Sequence, residues 1–190
     1  MKAILPTLGL VLLLAGCAGT QRVGEVAYYD LLVPSRPFAP LKSLRALDVV
    51  APSWLDSGAL QYRLMYEDSG RRLAYSRSRW AASPAEMLEQ ALKRSLQGDS
   101  TAGRCRLRLE LVEFQQTFDS PLASRAVLAA RASLYADEGK GILARQSFNL
   151  VRPADTADGP GGVKALSALA GDLEEGLRTW LQGDLGRQCQ

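Results

Sequence analysis

Apolar and polar residues alternate along much of this chain, most regularly at Cys105, Leu107, Leu109 and Leu111, which are separated by Arg106, Arg108 and Glu110. A period of two puts alternate side chains on opposite faces of a strand, so this stretch predicts a half-buried β-strand. Ala126, Leu128, Ala130, Ala132 and Leu134 repeat the pattern with Arg125, Arg131 and Ser133 turned outward, and Glu138-Gly139-Lys140-Gly141 then turns into a further strand from Ile142 to Val151. In the first half, the β-branched and aromatic run Val26 to Val33 predicts a strand ended by Pro34, Pro37 and Pro40, and Leu44 to Ala51 predicts another, cut by Pro52. Leu60, Tyr62, Leu64 and Tyr66 alternate with Gln61, Arg63 and Met65, and after the turn Asp68-Ser69-Gly70 the segment Arg71 to Ser76 returns as the second arm of a hairpin.

Two stretches change period from 2 to 3.6. Ser83-Pro84-Ala85-Glu86 opens the first, with Ser83 as cap, Pro84 at the first helical position and Glu86 closing a capping box. Met87, Leu88, Ala91, Leu92, Ser95 and Leu96 then recur at helical spacing until Gly98. The second follows the Pro/Gly/Asp-rich stretch Pro153 to Gly162 and carries Leu166, Leu169, Ala170, Leu173, Leu177, Trp180 and Leu181 on one face. Four strands, a helix, three strands and a helix predict an α/β (α+β) fold. Its most economical packing is a mostly antiparallel sheet with two amphipathic helices on it, in a single domain.

The start of the chain has a different character. Met1-Lys2 precedes an apolar run from Ile4 to Ala15, too short for a bilayer core that needs roughly 20 helical residues. It reads as the h-region of a signal peptide over residues 1–16. The ending Leu14-Ala15-Gly16-Cys17 resembles a bacterial lipobox, which implies cleavage before Cys17 and acylation of that residue. Ala18, where an Asp would resemble an inner-membrane retention signal, favours export to the outer membrane. Residues 17–26 then form a lipidated N-terminus and tether, and 27–185 the folded domain.

Composition narrows the chemistry. The 190 residues contain no His, which excludes a Ser–His–Asp or Cys–His couple, a His-ligated zinc and an imidazole pH switch. A net charge of +3 spread along the chain does not suggest a nucleic-acid partner. With Cys17 lipidated, Cys105 and Cys189 are left as an even pair in an exported protein, the setting for a structural disulfide. Gly159-Pro160-Gly161-Gly162-Val163-Lys164 misses the spacing and hydroxyl of a phosphate loop, although the helix behind it leaves anion binding at its N-terminus open. Glu174-Glu175 and Asp137-Glu138 read as solvated carboxylates, and no Ser/Lys pair has the spacing of a nucleophile and its base. No catalytic residue, metal or cofactor is expected.

The remaining candidates are contact residues. Arg77, Arg79 and Trp80 lie between a strand and a helix cap, a composition suited to an interface, or else a core Trp at a strand–helix corner with solvated Arg beside it. Trp54 sits in a loop, as a contact or as a plug, and Arg63 is either solvated or paired with an acid on a neighbouring strand.

The region from Leu47 to Leu96 resembles the ABC-type transport auxiliary lipoproteins, the PqiC-like group. The blocks that carry the resemblance are Pro52-Ser53-Trp54-Leu55-Asp56-Ser57, Leu60-Gln61-Tyr62-Arg63-Leu64 and Tyr75-Ser76-Arg77-Ser78-Arg79-Trp80-Ala81, followed by Pro84 and its helix. Cys17, the segment Tyr28-Tyr29-Asp30-Leu31 and the closing amphipathic helix fit the same plan. The resemblance implies a non-enzymatic outer-membrane lipoprotein, lipid-anchored and facing the periplasm. Such a lipoprotein works with an MCE-domain protein of an ABC transport system for lipids or other hydrophobic molecules, and assembles as a homo-oligomeric ring. The alternative from another class is a stand-alone envelope lipoprotein that holds a lipid under its helices or assists outer-membrane assembly and integrity.

Overall fold

The computed structural model describes residues 24–33, 39–97, 103–136, 141–182 and 189. The segment expected to be a signal peptide (1–16), Cys17, most of the expected tether, Pro34 and Pro37, Gly98, and the residues Asp137, Glu138, Gly139 and Lys140 lie outside the described residues.

Among the described residues seven strands form one sheet: β1 (Ala27–Tyr29), β2 (Leu44–Val50), β3 (Ala59–Leu64), β4 (Leu73–Trp80), β5 (Cys105–Ser120), β6 (Ala123–Ala136) and β7 (Ile142–Pro153). Helix α1 (Pro84–Leu92) runs on through a π-helical segment, Lys93–Gln97, and helix α2 spans Gly159–Gln182. At the start of α1, Ser83 Oγ accepts from Glu86 N, and Pro84 occupies the first turn where its missing N–H costs nothing.

The sheet is mixed, which corrects the mostly antiparallel expectation. β3–β4, β5–β6 and β6–β7 are antiparallel, but β1–β4, β2–β5 and β3–β5 are parallel. The reason is the length of β5. Its first half pairs with β2 (Leu44 to Cys105, Val50 to Glu110) and its second half with β3 (Tyr62 to Gln116, Leu64 to Phe118). β2 and β3 therefore lie end to end on one edge of β5, running the same way. The chain turns back through β4, and α1 with its π-helical extension returns it beside the start of β2. There Leu41 N donates to Leu96 O (2.6 Å) and Cys105 N to Ser43 O (3.2 Å). β5 thus starts beside β2 and runs parallel to it. Hairpins read locally in sequence contain no signal for this return.

Boundaries differ where pairing overrides local pattern. β1 is three residues long because it meets only Ser78, Arg79 and Trp80 at the end of β4, and the same contact extends β4 past Ser76. β5 continues nine residues beyond Leu111, paired with β6 on one side and β3 on the other, past a register shift between Leu111 and Glu113. That bulge moves the inward set from the odd positions to Phe114, Gln116 and Phe118.

Both helices cover one face. Leu107, Leu109 and Leu111 from β5 and Ala126, Leu128, Ala130 and Leu134 from β6 meet Leu166, Leu169, Ala170, Leu173 and Leu177 of α2, all at 2% exposure or less. The alanines of β6 let the helix approach, and each fully buried Leu contributes about 1.5–3 kcal/mol relative to exposure. One expectation fails here: Glu174 is not solvated. The i,i+4 spacing puts it beside Arg178 (3.6 Å) on the buried face, while Arg178 donates to Ala39 O (2.8 Å) and Ser95 O (2.7 Å) and ties α2 to two other segments. A disulfide joins Cys105 to Cys189, and Arg104 N donates to Cys189 O (3.0 Å).

The opposite sheet face carries no helix among the described residues. Alternation turns Arg106, Arg108 and Glu110 of β5, Arg125 and Arg131 of β6, and Arg145 of β7 toward solvent on it.

A candidate docking surface at the Trp54 loop

The loop 51–58 fills the gap between the two strands that share the edge of β5. Pro52 O accepts from Leu55 N (2.9 Å) and Asp56 N (3.0 Å), a tight turn that sends Leu55 into the core at 1% exposure and leaves Trp54 at the surface at 41%. The turn is held from below: Gln61 Nε2 donates to Trp54 O (2.7 Å).

The indole has a cation on its face. Arg72 Cζ lies 3.7 Å from the Trp54 ring centroid. Arg72 Nη1 donates to both Gln61 Oε1 (3.1 Å) and Gln115 Oε1 (3.0 Å), and Arg63 Nε also reaches Gln115 Oε1 (3.3 Å). Arg63 further donates to Ser69 O (2.9 Å) and stands 3.8 Å from Glu113, so it is paired with an acid of the neighbouring strand. Burial, and then the nearby Arg63, hold the Arg72 guanidinium below its ordinary pKa, with Glu113 opposing them. It remains cationic at neutral pH.

This arrangement is preorganised. Gln61 and Gln115, at 6% and 2% exposure, fix the guanidinium, which then fixes the indole. A stacked cation–π pair contributes about 0.5–1 kcal/mol when exposed and more once desolvated. Trp and Arg are also the residues that dominate buried contact energy between proteins.

Of the sequence candidates, Trp54 and Arg63 are brought into one network. Arg77 and Arg79 are exposed at the other end of β4, with the Arg77 side chain against Gly24. Trp80 is at 2% exposure in the core, its ring 5.6 Å from that of Phe114, so of its two readings the core corner describes its place. The strand extension explains this, since β4 ends by turning Trp80 under the helices. Arg72 and Gln115 were missed. Arg72 looked like the start of a return strand, and Gln115 lies beyond the bulge that hides the second half of β5. No local pattern around Arg72 marks it as a neighbour of Trp54; the contact depends on how the hairpin folds back on the loop.

The helical face has its own polar cluster. Tyr75 Oη donates to Gln116 Oε1 (2.8 Å), Gln116 Nε2 donates to Ser124 Oγ (2.7 Å), and the Tyr62 ring lies 4.6 Å from that of Tyr75. Burial, with Tyr62 and Asp158 nearby, pushes the Tyr75 phenol well above its ordinary range. The start of α2 is taken by its own carboxylate, Asp158 Oδ1 accepting from Gly161 N (2.8 Å), which argues against an outside anion there. Among the described residues no helix is long and apolar enough to cross a membrane. No three His, Cys, Asp or Glu side chains among them converge as metal ligands.

This fold and sequence have relatives. A crystal structure of a Xanthomonas campestris protein of the DUF330 family superposes with a TM-score of 0.70 at 20% identity, covering 82% of this chain and 94% of that one. The crystal structure of an uncharacterized protein does so at 0.65 and 15% identity, covering 84% and 100%. No curated protein matches the chain. The family model of the ABC-type transport auxiliary lipoprotein component matches residues 31–177. Those residues hold the Trp54 loop, the hairpin carrying Arg63 and Arg72, and both helices, and the chain therefore belongs to the ABC-type transport auxiliary lipoprotein component family.

Proposed function

We propose that this protein is a non-enzymatic accessory subunit of an MCE/ABC-type intermembrane transport system for lipids or related hydrophobic molecules. Cys17, acylated after removal of residues 1–16, anchors it in the outer membrane facing the periplasm, and residues 27–185 form the domain that docks the periplasmic MCE protein, as a homo-oligomeric ring. The observation that carries the docking role is the Trp54–Arg72 stack, an exposed aromatic–guanidinium pair fixed by two buried glutamines. Membership of a transport auxiliary lipoprotein family supports the system. The apolar run before Cys17 supports the anchor, since two or more acyl chains hold a protein stably to a bilayer. Arg63 supports the docking surface by holding Gln115; Arg77 and Arg79, exposed on β4, lie outside that network.

The alternative, a lone lipoprotein holding a lipid under its helices, has less support. Leu166, Leu169, Ala170, Leu173 and Leu177 of α2 pack with Leu107, Leu109, Leu111, Leu128 and Leu134 of the sheet at 2% exposure or less. Co-purification of the full chain in detergent with the MCE protein of the same cell tests the proposal. A complex recovered with wild-type protein and weakened by Trp54→Ala supports docking through this loop; no complex under any mild detergent contradicts it.

A further inference from the structure

The helix-free sheet face bears a second feature, some distance along β5 from the Trp54 loop. A cleft of about 370 Å³ there is lined by Arg108, Glu110, Arg131, Ser133, Tyr135 and Arg145 among others. Register explains the gathering. Arg108 on β5 and Arg145 on β7 are the direct partners of Ser133 on β6, one on each side, and Arg131 is the next residue along the same face of β6. Neighbouring strands stand about 4.8 Å apart, so three guanidiniums come within a side chain's reach of one hydroxyl.

Charge is not balanced within it. Glu110 lies 3.7 Å from Arg131. Arg108 and Arg145 make no ion pair or hydrogen bond with a described residue. Arg106, two residues from Arg108 on the same face, shows what balance looks like there: its Nε donates to Asp48 Oδ2 at 2.6 Å. Asp48 is the register partner of Arg108, yet its carboxylate turns to Arg106 and leaves Arg108 uncompensated.

We infer that this cleft is a binding site for a phosphate-class oxyanion, with the Arg108 and Arg145 guanidiniums flanking it, Ser133 beneath it and Arg131 to one side. A tetrahedral oxyanion offers acceptors in several directions to guanidiniums approaching from separate strands, which a planar carboxylate does not. Three cations against one carboxylate match the charge of a phosphate near neutral pH. A bare phosphate fills only part of the cleft, which leaves room for an organic group esterified to it. The shared chemistry is the phosphate; its source is free phosphate, a soluble phosphate ester or a lipid headgroup.

Isothermal titration of the full chain in neutral-detergent micelles at low salt tests this, with inorganic phosphate and glycerol phosphate in one arm and a short-chain phosphatidylglycerol in the other. Saturable heat is expected in at least one arm, with sodium acetate giving none. Heat from the soluble phosphates identifies the small anion or ester as source, and heat from the phosphatidylglycerol alone identifies the lipid headgroup. The double variant Arg108→Gln/Arg145→Gln is expected to weaken binding about tenfold or more, because each removed guanidinium takes charge-assisted hydrogen bonds with it. Arg106→Gln, whose partner is Asp48, is expected to bind as wild type. All three side chains are exposed, so folding is not at risk. No saturable binding in either arm, equal binding by the double variant, equal heat from acetate, or equal loss in Arg106→Gln overturns the assignment.

Discussion

The Arg72 guanidinium stacks on the Trp54 indole, its Cζ 3.7 Å from the ring centroid, and is tied from the other side to Gln61 and Gln115. This contact adds to the Gln61–Trp54 hydrogen bond and the β3–β5 pairing that join loop, hairpin and β5. A double-mutant cycle of Trp54→Ala and Arg72→Ala, followed by denaturant unfolding, is expected to give a coupling of about 0.5–1 kcal/mol. Additive single effects would show that the stack contributes nothing.

The disulfide between Cys105 and Cys189 closes a loop with a sequence separation of 84 and pins the C-terminal end against the first residue of β5. Replacing both cysteines by serine is expected to lower stability by roughly 4 kcal/mol, since the crosslink restricts the unfolded chain. Wild-type protein treated with a reductant should show the same loss, and the double serine variant should be indifferent to it.

Gly162 lies over Gln116. A Cβ there would sit 2.2 Å from Gln116 Oε1 and 2.8 Å from its Cδ, and Gln116 is fully buried between Tyr75 and Ser124. Gly162→Ala is expected to destabilise the fold by about 1–3 kcal/mol despite alanine's better helix propensity. An unchanged or raised melting temperature would show that the start of α2 shifts freely.

Tyr75 gives a pH dependence. Its folded pKa is raised, first by burial, so the native state favours the neutral phenol. That contribution is fully present below the ordinary value of about 10 and is lost as pH climbs beyond it. The unfolding midpoint should therefore fall above pH 10 more steeply in wild type than in Tyr75→Phe. Parallel curves for the two proteins would place the cause elsewhere.

The strands and helices were largely legible in the sequence because each is amphipathic on its own period. The alternation at Cys105 to Leu111 and the capped start at Ser83-Pro84 needed no tertiary knowledge. The sheet's mixed direction was not legible, because it depends on β2 and β3 sharing one edge of β5, and no local pattern encodes a shared edge. The bulge after Leu111 hid half of β5 by moving the apolar residues from odd to even positions. It hid Gln115 with them, and so the network around Trp54. Glu174 was misread for a related reason: its pairing with Arg178 depends on what α2 lies against. Trp54 and Arg63 were found from residue type alone, but Arg72, which joins them, became visible only once the hairpin was folded back on the loop.

The central claim is that the Trp54 loop meets the MCE protein of an ABC transport system. The most direct measurement places a photo-crosslinking amino acid at position 54 of the full chain, irradiates living cells, and identifies the product by mass spectrometry. An adduct with the MCE protein is expected, absent when the crosslinker stands at exposed Leu122 instead. Adducts from position 54 that never contain an MCE protein, while the chain is anchored and folded, would contradict it.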